Sequence, residues 1–285
     1  MASLRRLMAV AALVFAGTYS NVRAQCPSEV GDRPIAASPT RPATTDAADV
    51  IQTGVVELES GWASGWPGGG VRQDFFGSLY KMGLFCNFEF RASTNAFQGQ
   101  TNPDGGSVSG MGDVWYSGQY RFVTQKKATP SISIIYAAKG PTASVTKGLG
   151  SGQMDQLVAL AVGKPFGKTY WSFESKWIFS GRQDNSAIDK NAEISLNLVR
   201  PISRRFGIVG EVYGDTQKNS ETPGFASTLW AVQYSVNARL ILDSGIDIGI
   251  TNGAPHKRVF AGVSYAVGDL YSALRHSAFR HSPRP

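Results

Sequence analysis

Histidine is scarce in this 285-residue chain, which has only His256, His276 and His281. None falls in a segment patterned as a strand, where a Ser-His-acid site on a β wall would need one. No Gly-x-Ser-x-Gly occurs, so no nucleophile elbow is expected. Cysteine is scarcer still, with Cys26 and Cys86 alone, and no His/Cys cluster has zinc spacing. Gly148, Gly150 and Gly152 lack both the spacing of a phosphate loop and the helix that should follow it. Asn102-Pro103-Asp104-Gly105-Gly106 is turn chemistry, with too few carboxylates for calcium. The sequence therefore predicts no catalytic, cofactor-binding or metal-ligating residue, no cofactor and no enzyme. Long apolar runs are also missing: none reaches the ~20 residues of a membrane helix.

What remains is a chain rich in glycine (32 residues), modest in charge (17 %) and close to neutral in mean hydropathy (−0.14). That is the composition of a β-barrel, in which the lumen face dilutes the hydrophobic signal of each strand.

The first 24 residues read as an export signal. Arg5 and Arg6 form a basic start, Leu7–Gly17 an apolar core and Val22-Arg23-Ala24 a small-x-small cleavage site. The core is too short for an anchor. Cys26 raises the possibility of a lipoprotein, but Arg23 and Gln25 do not fit the small residues expected before a lipidated cysteine. The formal charge of +7 falls to +4 once Arg5, Arg6 and Arg23 leave, and Arg275, Arg280 and Arg284 lie in the C-terminal tail. A near-neutral remainder gives no sign of nucleic-acid binding. Cys26 and Cys86 could pair in an oxidising periplasm. The alternation around Leu84, Cys86 and Phe88 favours a small apolar side chain on a strand instead.

Residues 25–49, with Pro27, Pro34, Pro39 and Pro42 among Ala, Thr and Ser, read as a flexible periplasmic linker. From residue 50 to 268 the pattern changes to period two, the spacing of strand side chains on opposite faces. Phe206, Ile208 and Val212 alternate with Val209, Glu211 and Tyr213. Trp230, Val232, Tyr234 and Val236 alternate with Ala231, Gln233, Ser235 and Asn237. Val259, Ala261, Val263, Tyr265 and Val267 alternate with Phe260, Gly262, Ser264 and Ala266.

About twelve such strands are expected, at 50–62, 71–82, 84–94, 111–123, 130–139, 153–164, 168–181, 190–200, 204–215, 225–241, 245–251 and 257–268. Mostly long polar connections (62–70, 95–110, 140–152, 181–189, 215–224, and the shorter 252–255) alternate with short ones at 82–83, 125–129, 165–167, 201–203 and 243–244. This is the sorting of an all-β, antiparallel up-and-down transmembrane barrel with both ends in the periplasm. Trp62, Trp115, Tyr116 and Trp230 should mark the outer interface, and Trp171, Phe206 and Tyr265 the periplasmic one. Loop 95–110 is long enough to fold inward. Residues 269–285 form a basic tail whose composition favours disorder.

Charges on the face opposite the apolar one would cost a few kcal/mol each in lipid, so they are assigned to the lumen. The candidate lumen-lining residues are Glu57, Glu89, Arg91, Asp113, Arg121, Asp155, Glu174, Lys176, Glu193, Glu211, Arg239 and Asp247. Glu59, Asn87, Gln119, Asn197 and Gln233 share their parity.

The segments Arg204-Arg205-Phe206-Gly207 to Gly210-Glu211-Val212-Tyr213-Gly214, Asn237-Ala238-Arg239 to Asp247-Ile248-Gly249-Ile250-Thr251, and Val259-Phe260-Ala261-Gly262-Val263-Ser264-Tyr265 resemble a bacterial outer-membrane transporter-like family. It is named for the meta-cleavage pathway of phenol degradation. The resemblance covers the layout of residues 50–268 and is sharpest over 204–267. It implies an outer-membrane barrel with a transport role, and it carries over no site residue. The tail departs from the family's simplest form.

The expectation is thus an exported barrel of a Gram-negative outer membrane, inserted by barrel-assembly machinery. It would be a passive conduit for small solutes, aromatic or hydrophobic compounds among them. The alternatives are a structural or adhesive barrel with a filled lumen and a barrel-borne surface hydrolase using His256. Oligomeric state is not legible.

Overall fold

The structure, a computed structural model, describes residues 34–184 and 187–271. The leader, residues 25–33 of the expected linker and residues 272–285 of the tail lie outside that range.

The strands are β1 (Val55–Gly68), β2 (Val71–Phe85), β3 (Phe88–Thr101), β4 (Ser107–Gly110), β5 (Val114–Val123), β6 (Ser131–Gly140), β7 (Asp155–Phe166), β8 (Thr169–Gly181), β9 (Ile188–Pro201), β10 (Phe206–Asp215), β11 (Phe225–Ser235), β12 (Leu240–Gly249) and β13 (Lys257–Asp269). β4 is a short return strand on β3. The other twelve pair antiparallel around a closed circuit in which β1 is bonded to both β2 and β13. Closure leaves no edge with unpaired backbone groups.

The distribution of side chains is inside-out relative to a water-soluble protein. Glu57 is 0 % exposed and its neighbour Leu58 is 44 % exposed, and the alternation repeats at Glu174 (0 %) against Phe173 (41 %). Trp62, Ile134, Trp177, Ile208, Trp230 and Val259 all stand exposed on the outer wall. An exposed apolar surface this extensive is stable only against lipid.

Four boundaries differ from the sequence expectation. β1 and β2 extend to a tight turn at Gly69 and Gly70, whose φ angles of +59° and +74° suit glycine. The first outer connection is therefore short. The β2–β3 turn falls at Cys86 and Asn87, not at 82–83. Cys86 is disulfide-bonded, which corrects its reading as a small apolar strand residue; Cys26 lies outside the described residues. The β11–β12 turn falls at Val236–Arg239, because Asn237 Oδ1 accepts hydrogen bonds from the amides of Arg239 and Leu240. Asp243 and Ser244, expected in that turn, belong to β12. Finally, β3 and β4 make segment 95–110 a hairpin, and residues 141–154 pack against it.

Candidate functional site

The inner wall carries the charge. Lys81 Nζ lies 2.6 Å from Glu57 and 2.7 Å from Glu59. Arg91 Nε lies 2.5 Å from Glu89 on the same strand, and its guanidinium also donates to Gln119 on β5. Farther round, Lys176 lies 2.8 Å from Glu193 and 3.2 Å from Glu174, and Arg258 lies 2.7 Å from Asp247. These pairs are cross-strand or i,i+2 neighbours on one face, so the parity of the strands brings them together.

The expected flexible linker is corrected over residues 35–49, and residues 50–53, expected to open the first strand, continue the same inner segment up to β1. This inner segment enters the barrel and is held by the wall carboxylates. Ser38 N donates to Glu57 at 2.6 Å. Thr40 N and Arg41 N donate to the two oxygens of Glu59 at 2.9 and 2.8 Å. Glu211 accepts from Thr44 N, Thr45 N and both threonine hydroxyls. Asp46 N donates to Glu174 at 2.8 Å, and Ile51 N to Glu89 at 2.7 Å. Each link sets a side-chain carboxyl oxygen against backbone donors that have no ladder to join.

Cations and hydroxyls of the wall hold the segment's acceptors in turn. Lys81 donates to Ser38 O, Lys176 to Thr44 O, Gln233 to Arg41 O, Gln119 to Ala47 O and Ser133 to Ala48 O. Asp46 receives Arg91 at 2.5 Å. Asp49 receives Arg121, Ser131 and Tyr170 at 3.1, 2.6 and 2.7 Å. Ala48, fully buried, packs on Ile135, Ala159 and Ala161, and the two inward alanines leave room for a chain inside the barrel.

Of the candidate residues, Glu57, Glu89, Arg91, Arg121, Glu174, Lys176, Glu193, Glu211 and Asp247 sit on the inner wall in the contacts just given or beside them. Asp113 and Asp155 flank Lys139 near the mouth, at 3.2 and 2.8 Å. Arg239 is the correction: it lies exposed in the β11–β12 turn, because the turn comes earlier than the sequence suggested. Trp115 also departs from expectation. It lines the interior and is not part of an outer girdle.

Among the elements missed are Lys139 and Arg258, inward on strands that were expected; Arg41 to Asp49, hidden in a Pro- and Thr-rich stretch; Lys81, directly across from Glu57; and Asp243, assigned to a turn. The unbroken alternation through Leu242, Asp243 and Ser244 was the available signal for the last.

On the outer side of the segment lies a cavity of about 370 Å³, lined by Arg41, Glu59, Leu79, Asn95, Trp115 and Leu149 among others. Leu149 comes from the 141–154 loop, which is tied down by Gln98 Nε2 donating to Leu149 O at 2.6 Å and by Ala143 N donating to Asp113 at 2.8 Å. Along β9–β11, Asn191 Oδ1, Ser195 Oγ, Asn197 Oδ1, Asp215 Oδ1 and Ser227 Oγ are buried without a protein partner. Such atoms call for water. His256 lies in the exposed β12–β13 connection, next to Gly68. Among the described residues, no group of His, Cys, Asp and Glu is placed to hold a metal ion.

No protein-family model matches the chain, and no curated protein matches it. Among solved structures it is similar to the COG4313 outer membrane channel from Pseudomonas putida F1, at 12 % identity and a TM-score of 0.61 over 80 % of this chain and 98 % of that one. Weaker likenesses include the outer membrane phospholipase A from Escherichia coli (12 % identity, TM-score 0.41, 82 % and 95 % covered) and Salmonella typhi OmpF in complex with daunomycin (8 %, 0.36, 74 % and 96 %). At such identities what is shared is the fold, and the fold is that of an outer-membrane β-barrel.

Proposed function

We propose that this chain is an outer-membrane channel for small solutes, closed at rest by its own residues 35–53. The observation that carries this reading is the bonding of the inner segment. It is held mainly by side chains of the wall, carboxylates on its amides and cations, amides and hydroxyls on its carbonyls and acids, and not by a continuous backbone ladder. A strand woven into the sheet would be a fixed part of the wall; a segment clipped by side chains is removable without opening the barrel. The water-demanding atoms on β9–β11 supply a hydrated path beside it.

The finer reading follows from the lining of the outer cavity. Trp115, Leu79 and Leu149 favour solutes with an apolar or aromatic face, as membership of the meta-pathway transporter family would require. Export with a cleaved leader and insertion by assembly machinery complete the proposal, and no catalytic role forms part of it.

The test compares conductance in planar bilayers of the full chain with that of a variant lacking residues 35–49. Both should migrate as heat-modifiable barrels, and the shortened chain should conduct more. A folded shortened barrel that passes neither ions nor small phenols would overturn the channel. That result would favour a structural barrel with a filled lumen, a reading the packing of Ala48 on Ile135, Ala159 and Ala161 also supports. Hydrolysis lost in His256→Ala would instead establish the surface hydrolase.

A further inference from the structure

The two rims of the barrel treat their exposed arginines differently. On the rim of the long loops the arginines are paired with acids: Arg72 with Asp74 at 2.8 Å, Arg182 with Asp189 at 2.6 Å and Arg258 with Asp247 at 2.7 Å. In the short turns from β5 to β12 the sequence supplies cations and no acids. Residues 122–130, 162–171, 198–207 and 234–242 contain no Asp or Glu. They contain Lys126, Lys127, Lys164, Lys168, Arg200, Arg204, Arg205 and Arg239. Among the described residues none of these cations forms an ion pair; the hydrogen bonds they make go to neutral partners. Arg200 Nη1 donates to Thr169 Oγ1 at 3.2 Å, Arg205 Nη1 to Tyr234 OH at 3.3 Å, and Lys164 Nζ to Ala128 O.

These cations also interleave with exposed aromatics. Lys164 Nζ lies 5.7 Å from the centre of the Phe166 ring, which meets Trp171 edge-on at 6.0 Å. Phe206 packs against Tyr234 at 4.8 Å beside Arg205. Lys164 lies directly across from Trp171 in the β7–β8 pairing, so both project to the same outer side. Aromatic rings settle at the boundary between hydrocarbon and headgroup, and cations just beyond them meet the phosphates. Unpaired guanidinium groups in this position match phosphate in geometry as well as charge.

We propose that the short-turn rim from β5 to β12 is a collar that binds the headgroups of anionic phospholipids. The collar rests on the membrane placement of the barrel and is independent of conduction. Arg200, Arg204 and Arg205 form its centre, with Lys164 and Arg239 on either side. Its ligand is the phosphodiester of phosphatidylglycerol or cardiolipin in the leaflet next to the short turns.

The full chain, refolded with mixed lipids and gradually delipidated, is examined by native mass spectrometry alongside Arg200→Gln/Arg204→Gln/Arg205→Gln and, as a control on the opposite rim, Arg72→Gln. Wild type and Arg72→Gln should retain cardiolipin or phosphatidylglycerol at least tenfold over phosphatidylcholine. The triple variant should lose most of that preference while remaining heat-modifiable with unchanged conductance. Equal retention of phosphatidylcholine by wild type, an unaltered preference in the triple variant, or selective retention of lipopolysaccharide would overturn the collar. A chain that fails to enter vesicles at all would instead refute the membrane placement.

Discussion

Arg41 of the inner segment grips Asp243 of β12 with two hydrogen bonds, Nε at 3.1 Å and Nη2 at 3.0 Å. The guanidinium lies over a floor of glycine. Gly61 and Gly262 face each other across β1 and β13, and a Cβ built on either would come within 2.4 Å of Arg41. At Gly262 the nearest neighbours of that Cβ are all Arg41 atoms, so an added methyl meets the clamp before it meets the wall. Gly262 is also directly across from Asp243, which places the floor beside the carboxylate it serves.

Gly262→Ala should therefore unseat Arg41 while sparing the barrel. Asp243, whose side chain is 1 % exposed, would lose its cation. Breaking a buried pair costs about 3 kcal/mol, roughly a hundredfold in the docked-to-undocked ratio. Open-channel probability in planar bilayers should rise accordingly, and so should that of Arg41→Gln. Combining the two should add little, because both remove one contact. Additive effects would show that Gly262 acts by some route other than Arg41.

The barrel was legible in the sequence because its signal is periodic. Leu58 against Glu57, or Phe173 against Glu174, announces a wall with lipid on one side, and one-residue steps fix the face of every side chain between turns. Turns were less legible. Asn237 ends β11 through two side-chain hydrogen bonds, and only the alternation running on through Leu242, Asp243 and Ser244 marks that choice, a weaker cue than Asp-Ser-Gly turn chemistry, which placed Arg239 on a strand facing the lumen. The inner segment was opaque for a physical reason. Its composition cannot form a core of its own, which is also true of a disordered linker. What orders residues 38–51 is a set of carboxylates more than a hundred residues away in several cases, such as Glu211 for Thr44 and Thr45.

Glu211 carries the densest of these contacts, so its neutralisation should be felt locally. Glu211→Gln keeps the shape but turns charge-assisted acceptance from Thr44 N and Thr45 N into weaker neutral bonds and sets an amide N–H₂ against one of the threonine donors. Losing even one such bond of about 1.5–3 kcal/mol predicts at least tenfold faster amide exchange for the peptide around Thr44 and Thr45. The strands should keep their protection. Hydrogen-exchange mass spectrometry separates the two, and unchanged exchange at residues 44–46 would show that Glu211 does not hold the segment.

Asp46 supplies a pH dependence with a definite sign. Burial favours its neutral form, but Arg91, backed by Lys176 and Lys81, prevails and holds the carboxyl below the ordinary aspartate value of 3.8. A group with a lowered folded-state pKa contributes stability that is complete above its unfolded value and lost as pH falls through the folded one. The difference in segment docking between wild type and Asp46→Asn should thus be constant from neutral pH down to about 4 and shrink only below that. Exchange of residues 44–48, as a ratio of the two chains, provides the measurement. A difference that fades between pH 7 and 5 would mean that Asp46 is not held ionised by Arg91.

The β8–β13 side of the lumen leans to negative charge. Glu174, Glu193, Glu211, Asp215, Asp243 and Asp247 stand on that wall, and the wall's own inward cations are Lys176 and Arg258. Arg41 answers Asp243 only while the inner segment is docked. Fixed charges lining a narrow aqueous path select the counter-ion. Under a tenfold KCl gradient the open channel should therefore show a reversal potential of the sign for cation preference. Replacing both Glu193 and Asp215 by their amides should at least halve the cation-to-anion permeability ratio without closing the channel, since Asp215 Oδ1 has no protein partner to lose. An anion preference, or a ratio indifferent to both amides, would place the ion path elsewhere than along β9–β11.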